Sequence, residues 1–218
     1  MVLNELISLL KTANSATQIN EKRDEIGDLI PAVKIMFDYD QQNHAHQFDL
    51  WTHSLNVVIN MPRNMEDDML YLAALFHDIG KPKSQCKGSR ADDTNMHYYG
   101  HPKKSAEIES SVIIPDLDQK GYKISYMDIK RLLYYEEYHD DHVSKKLKHI
   151  NRHMKMASFD EFRNLMFLQV AYAKAHVQLP IVADRVEVCS ALAGKEGESL
   201  YQMYLKQRMV NDGLIQMK

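Results

Sequence analysis

Apolar residues in this chain recur mostly at intervals of three and four positions, the spacing that places them on one face of an α-helix. Eight glycines and six prolines are too few for the many tight turns of a strand-rich fold. We therefore expect an all-α protein. The pattern predicts helices over about 2–11, 20–37, 49–60, 65–80, 102–114, 125–139, 144–155, 158–178, 181–193 and 196–211.

Capping and breaking residues define the ends of several predicted helices. Asp49 suits a helix start, and Pro62 stops the helix that follows it. Pro31 is expected to kink or split the second helix, because proline lacks a backbone donor. Polar residues and glycines crowd residues 83–100, which we expect to form a loop. No repeat, low-complexity tract or linker interrupts the pattern, so we expect a single domain over residues 1–218.

Composition limits the class of protein. With 44% hydrophobic residues, a chain of 218 residues can bury a substantial core. No stretch is apolar enough for a membrane span, and Asn4, Glu5 and Lys11 interrupt the apolar N-terminus, so we expect neither a membrane anchor nor a secretory signal. Cys86 and Cys189 are too few for a disulfide framework and favour a cytoplasmic location. The net charge of −3 argues against a protein whose main task is to bind nucleic acid.

One local stretch runs against that charge balance. Between residues 142 and 155 lie Lys145, Lys146, Lys148, Arg152 and Lys155. Such a run is typical of a solvated helix face. The alternative is a rim that attracts phosphate groups beside a site, and with it a protein that processes RNA ends.

An imidazole and a carboxylate follow directly on an apolar run. Leu75 and Phe76 precede His77 and Asp78 at the end of the predicted helix. Burying two ionisable groups there is costly unless something pairs with them. A bound cation does so, because it turns both groups into ligands.

Further histidines occur at helix ends and on inward faces. His53 shares a predicted helix face with apolar residues, His101 opens the helix after the long loop, and His139 and Asp140 end another. Facing helices of a bundle are where metal sites are assembled. A single inward histidine is more often a hydrogen-bonded core residue, so the hypothesis depends on their joint occurrence with the His77–Asp78 pair. Five other histidines are expected to be structural or on the surface: His97, His142, His149, His153 and His176.

Three segments together resemble a known family. They are QFDLWTHSL at 47–55, LFHDIGKP at 75–82 and YGHPKKSA at 99–106. These segments resemble the HD superfamily of metal-dependent phosphohydrolases, and most closely the HD domain at the end of bacterial CCA-adding enzymes and stand-alone proteins built on it. The resemblance implies an HD-type helical bundle with its core at about 46–190 and the N-terminal helices, 1–40, packed on it.

The resemblance also implies a ligand set. His53, His77 and Asp78 would bind a first metal, while His101 and His139 would complete a second position where one exists. Mixed imidazole and carboxylate ligands suit iron, manganese, nickel, cobalt or zinc, as one or two ions. Asp78 would also orient the attacking water as a base.

Other residues are candidates for substrate contacts. Lys81 follows within a helical turn of Asp78 and is a candidate to meet a phosphate oxygen, or else a surface lysine that closes a helix. Lys103 and Lys104 are candidates for the same role from the rim, and Asp140 lies beside His139.

The chain departs from the family at one position. The family closes its first metal site with an aspartate in a late helix, and the segment that matches best has Tyr172 in that slot. A neutral phenol is a poor ligand for most of these metals, so Tyr172 is a candidate substrate contact instead. Asp184 resembles the motif too, but in one unbroken helix about 18 Å would separate it from position 172. Only a bend at Pro180 would bring Asp184 to the same metal.

Two functions of different classes follow. The first is a hydrolase that uses a metal-activated water to cleave a phosphate mono- or diester of a small, nucleotide-like substrate. The second is a catalytically degenerate HD domain that binds nucleotide or RNA as a regulatory module, with Tyr172 marking lost catalysis. The sequence indicates no particular oligomeric state.

Overall fold

Helices account for most of the chain in the computed structural model, which describes residues 1–63, 65–90 and 92–215. The prediction of an all-α fold is confirmed. The described residues contain α1 (Leu3–Thr12), α2 (Ala16–Asn20), α3 (Arg23–Leu29), α4 (Leu50–Asn60), α5 (Asp68–Phe76), α6 (Lys81–Ser84), α7 (His101–Ile108), α8 (Ile114–Gln119), α9 (Tyr126–Tyr138), α10 (Leu147–His153), α11 (Phe159–Lys174), α12 (Pro180–Ala193) and α13 (Lys195–Asn211). A 3₁₀ helix (Pro31–Met36), a π-helical segment (Glu109–Ile113) and two short strands, β1 (Cys86–Lys87) and β2 (Met96–His97), complete the elements.

Side-chain caps explain where several helices begin. The Asp49 carboxylate accepts a hydrogen bond from the Thr52 amide at 3.0 Å, and α4 starts at the next residue. Ser158 caps α11 in a capping box with Glu161. These bonds satisfy amide groups that have no partner inside the helix. In the described residues, no helix is long and apolar enough to cross a membrane.

The helix expected over 20–37 is divided at Pro31, as predicted, because α3 ends at Leu29 and a 3₁₀ helix begins at Pro31. Other boundaries differ from the prediction. The helix expected over 65–80 ends at Phe76, and the chain then turns before α6. The loop expected over 83–100 contains a two-stranded antiparallel pair, in which Cys86 faces His97.

The turn between α5 and α6 requires a glycine. A Cβ atom on Gly80 would lie 2.5 Å from the Ser105 amide nitrogen and 2.6 Å from the His101 carbonyl oxygen. Both atoms belong to the backbone of α7, so they have no flexible end that could move aside. The Ser105 hydroxyl accepts a hydrogen bond from the Gly80 amide at 2.9 Å and donates one to the His77 carbonyl at 2.8 Å. Gly80 therefore allows α7 to lie directly against the turn that carries His77 and Asp78.

Four helices surround that turn. α4, α5, α9 and α11 pack against one another, and α7 packs against α9. α11 and α12 form an antiparallel pair, while α1 and α2 pack against α5 and α4. Trp51 and Phe76 are among the large side chains buried in the core. Burial of this apolar surface is the main contribution to the free energy of folding.

Candidate metal centre

Asp78 is the centre of the site. Its side chain is fully buried in the turn after α5. The His77 Nε2 lies 3.1 Å from Asp78 Oδ2, and the His77 Nδ1 is 3.0 Å from the Ala74 carbonyl one helical turn back. The backbone thus fixes the ring of His77 so that its second nitrogen points to the carboxylate.

Three more imidazoles reach the same carboxylate from three helices. His53 of α4 places its Nε2 3.4 Å from Asp78 Oδ2. His101 at the start of α7 and His139 after α9 place theirs 3.0 and 3.5 Å from Asp78 Oδ1. The Nδ1 atoms of His101 and His139 lie 2.8 and 2.7 Å from carbonyl oxygens three residues earlier, which orients both rings inward. Five of the predicted ligands, His53, His77, Asp78, His101 and His139, are therefore brought together, and Asp184 is not among them.

The protonation states suit metal binding. Burial raises the pKa of Asp78, but the neighbouring His77 and Lys81 outweigh it and hold that pKa well below the usual value. Burial lowers the pKa of His53 well below its usual value and that of His139 to about 4. An ionised Asp78 carboxylate and neutral imidazoles at His53 and His139, which are the ligating forms, are thus present near neutral pH.

Several of these donor atoms lack hydrogen bonds. Both ring nitrogens of His53, the Nε2 of His77 and both carboxylate oxygens of Asp78 are buried without a partner in hydrogen-bond geometry. Buried polar atoms without partners are rare because they are costly. Two donor sets, His53–His77–Asp78 and Asp78–His101–His139, each hold their atoms within 4.8 Å of one another. The unpartnered atoms and the mixed nitrogen and oxygen donors therefore fit one or two divalent transition-metal ions.

Lys81 is buried beside the carboxylate. Its Nζ lies 2.8 Å from Asp78 Oδ2 and donates a hydrogen bond to Gln41 Oε1 at 2.8 Å. The side chain is only 2% exposed, so the interpretation of Lys81 as a surface residue that closes a helix is wrong. α6 begins at Lys81, directly after the turn at residues 77–80, and the Lys81 side chain points inward from there.

Tyr172 lies against three of the four histidines. Its ring centroid is 5.7, 5.3 and 5.4 Å from those of His53, His77 and His139. Burial, followed by the charges of Asp140 and Asp78, raises the pKa of Tyr172 well above its usual value. The phenol therefore stays protonated and can donate a hydrogen bond toward the site.

Asp140 and Asp184 have different surroundings from those of the ligands. Asp140 Oδ1 accepts a hydrogen bond from Arg185 at 2.6 Å, and the guanidinium carbon lies 5.3 Å from the centroid of the Tyr172 ring. Asp184 is exposed, and no group of metal-compatible donors among the described residues includes it. Arg185 pairs with Asp140 and lies against the Tyr172 ring, whereas its exposed neighbour Asp184 makes neither contact. Lys103 is exposed on α7, and Lys104 pairs with Glu107.

A cavity of about 270 Å³ opens beside Arg185. Apolar side chains of α12, among them Ile181 and Val188, line part of it, and its polar lining includes His142, Gln169 and Asp184. Arg185, which pairs with Asp140, connects this cavity to the site.

The basic stretch is partly neutralised. Lys145 lies 3.2 Å from Glu187 and 3.5 Å from Glu196, and Arg152 pairs with Asp141. These two cations are therefore less available for phosphate groups than the sequence suggests.

Sequence reasoning missed four groups near the site. His46 and His176 lie against His53, with ring centroids 5.3 and 4.9 Å away. Burial lowers the pKa of His46 to about 2 and that of His176 to about 4. The only signal for His176 was its position four residues after Tyr172, one helical turn on the same face.

The other two groups that were not predicted from the sequence are buried carboxyl groups. Glu109, in the π-helical segment, and Glu136, in α9, are fully buried and interact with each other. Burial raises the pKa of both groups well above the usual value. The pair must therefore hold at least one proton when the protein is folded.

A family model described as the HD domain matches residues 50–187, which is more than half of the 218-residue chain. No curated protein and no solved structure matches the chain significantly. The matched region begins with the first residue of α4 and ends within α12, so it contains all the predicted metal ligands.

Proposed function

This chain belongs to the HD domain family, and on that premise we propose that it is a metal-dependent phosphohydrolase. The substrate that we propose is a phosphate mono- or diester of a nucleotide-like molecule. One observation carries the proposal above all others: four histidines from different elements converge on one buried, ionised aspartate. Packing alone gives no reason to bury so many ionisable groups together.

The metal ligands in this proposal are His53, His77, Asp78, His101 and His139. When bound there, a divalent ion supplies Lewis-acid polarisation of the phosphoryl group and a water of lowered pKa. The Asp78 carboxylate, ionised near neutral pH, would accept a hydrogen bond from the attacking water and orient it.

The remaining residues bind and orient the substrate. Lys81 Nζ, already beside Asp78, provides a positive charge for a phosphate oxygen. The Tyr172 hydroxyl donates a hydrogen bond, and Asp140 holds the Arg185 guanidinium in place next to the Tyr172 ring. Lys103 contributes charge from the rim. These roles are supported by position and charge.

The cavity beside Arg185 supports a nucleotide-like substrate, because Arg185 both lines it and lies against Asp140 and Tyr172. About 270 Å³ accommodates a group of roughly the size of a nucleobase, and Ile181 and Val188 offer an apolar wall for it. Resemblance of residues 47–55 and 75–82 to the HD domain of CCA-adding enzymes points the same way.

Turnover and its dependence on the carboxylate test the proposal. Protein purified without chelator is assayed for phosphatase and 2′,3′-cyclic phosphodiesterase activity with added manganese or nickel, alongside His77→Ala, Asp78→Ala and the exposed control His44→Ala. We expect hydrolysis by the wild type and the control, and a loss of at least about 100-fold in the other two. Equal rates in all four proteins would contradict the proposal.

Tyr172 favours a second candidate function. The Tyr172 phenol, which stays protonated, is a poor metal ligand, and Lys81 already pairs with the Asp78 carboxylate. Both features favour a module that binds its ligand without catalysis. Metal bound in stoichiometric amounts, with nucleotide binding but no hydrolysis of any phosphoester, would favour this candidate.

A further inference from the structure

A second group of imidazoles lies next to the Asp78 donor sets. His46 comes from the segment before α4, His53 from α4 and His176 from the end of α11. Their ring centroids are 4.6 to 5.3 Å apart, and one ring nitrogen of each lies within 4.8 Å of the others. His53 is fully buried and the other two are half-buried.

The free nitrogens of these rings point to a ligand. His176 Nδ1 is engaged with the Tyr172 carbonyl at 2.9 Å, so its Nε2 is the atom left for another partner. The His46 Nδ1 and both nitrogens of His53 are buried without a hydrogen-bond partner. The buried, unsatisfied nitrogens of His46 and His53 require either a cation or a cost in stability.

The nearest positive charge does not oppose an ion strongly. Lys81 Nζ lies 3.3 Å from the His46 Nε2, which would repel a second cation. That ammonium is already paired with the Asp78 carboxylate at 2.8 Å, so the pair as a whole carries no net charge. While the Asp78 donor sets hold no ion, the ammonium and the carboxylate thus offset each other beside the three imidazoles.

We propose that His46, His53 and His176 form a third metal position, which shares His53 with the His53–His77–Asp78 donor set. Because its protein ligands are all imidazoles, it selects zinc, nickel or cobalt over manganese and magnesium, which favour oxygen ligands. His176 lies one turn beyond Tyr172, just after α11. It therefore supplies a nitrogen donor close to Tyr172, whose phenol is a poor metal ligand. This inference concerns binding and does not require the protein to hydrolyse anything.

Metal stoichiometry tests the third position. Wild type, His46→Gln and His176→Gln are equilibrated with zinc, dialysed and analysed by plasma mass spectrometry, then the same is done with manganese. The matched control is His44→Gln, an exposed histidine in the same segment as His46. We expect both site variants to lose one zinc per chain relative to wild type and control, with manganese content unchanged. Equal zinc content in all four proteins would overturn the proposal.

Wild-type crystals give an independent measurement that no folding defect can affect. With zinc added, an anomalous difference peak should lie about 2.0–2.1 Å from nitrogens of His46 and His176. A zinc-loaded crystal without a peak there would overturn the proposal. The phosphohydrolase function is tested separately: it would still be supported if His46→Gln hydrolysed phosphoesters with manganese, even if the third metal position were disproved.

Discussion

Lys81 Nζ lies 2.8 Å from Asp78 Oδ2, and both side chains are buried. The lysine follows the aspartate by three residues, across a turn that bends because Gly80 is in contact with α7. An ammonium group therefore occupies one side of the carboxylate that the four histidines surround. Removing either partner leaves an uncompensated buried charge.

The first prediction concerns this ion pair. Lys81→Met should lower the free energy of unfolding by about 3–5 kcal/mol in chelator, because Asp78 then lacks its cation. Added manganese should recover most of that loss, since a bound ion pairs with the same carboxylate. Urea unfolding with and without metal measures both effects, with Lys83→Met on the exposed side of α6 as the control. A loss of stability that metal does not reduce would contradict the assignment of Asp78 as a ligand.

Gly80→Ala should disturb the site through the backbone. The added Cβ would lie 2.5 Å from the Ser105 amide nitrogen and 2.6 Å from the His101 carbonyl oxygen, so α7 must move away and carry His101 with it. We expect a loss of about 1–3 kcal/mol in stability together with weaker metal binding. Gly194→Ala is the matched control, because its Cβ would meet nothing closer than 3.4 Å. Calorimetric titration with manganese checks this, and unchanged affinity in Gly80→Ala would argue against the role of the turn.

A substitution of Tyr172 should strengthen metal binding. Tyr172→Asp places a carboxylate beside His53 and His77, so manganese should bind about tenfold more tightly, an increment of ~1.4 kcal/mol. Tyr172→Phe keeps the ring and removes only the hydroxyl, so its metal affinity should equal that of wild type. If Tyr172→Asp binds metal no better than Tyr172→Phe, position 172 does not face the ion.

Arg185 should act on substrate binding. Arg185→Leu removes a guanidinium held by Asp140 and lying over the Tyr172 ring. Loss of a charge-assisted contact to phosphate, about 1.5–3 kcal/mol, should raise KM roughly 10- to 100-fold with a smaller change in kcat. The exposed Arg163→Leu serves as the comparison. A fall in kcat at constant KM would point to a different role.

The buried carboxyl pair predicts how stability depends on pH. Burial raises the pKa of Glu109 and Glu136 in the folded protein, so the unfolded chain binds fewer protons near neutral pH. Stability from this pair is therefore complete below the unfolded pKa of about 4.3 and falls as pH rises toward the folded pKa. Glu136→Gln should stabilise the protein more at about pH 8 than at about pH 5, as measured by urea unfolding. An equal effect at both pH values would contradict the raised pKa.

Local patterns in the sequence predict much of this fold. Residues such as Asp49 and Ser158 act on their own neighbours, and their capping bonds are short-range, so the helix starts follow from nearby sequence. The His77–Asp78 pair was informative for the same reason, since an apolar run led directly to it. The short strands β1 and β2 were missed because two-residue strands leave no periodic pattern.

The rest depends on contacts between distant segments. His46 and His176 are 130 positions apart, and only the packing of α4 against α11 brings them to His53. The inward direction of Lys81 depends on how the turn at Gly80 meets α7, which periodicity does not describe. Arg185 in α12, rather than its neighbour Asp184, pairs with Asp140 and lies against the Tyr172 ring.

The central claim is that Asp78 is the shared ligand of a metal centre. Calorimetric titration of metal-free wild type and Asp78→Asn with manganese tests it directly, because asparagine keeps the shape of the side chain and removes its charge. We predict one or two bound ions per wild-type chain and at least about 100-fold weaker binding in Asp78→Asn, equivalent to ~2.7 kcal/mol or more. Equal affinity in the two proteins, or no binding by wild type, would contradict the account.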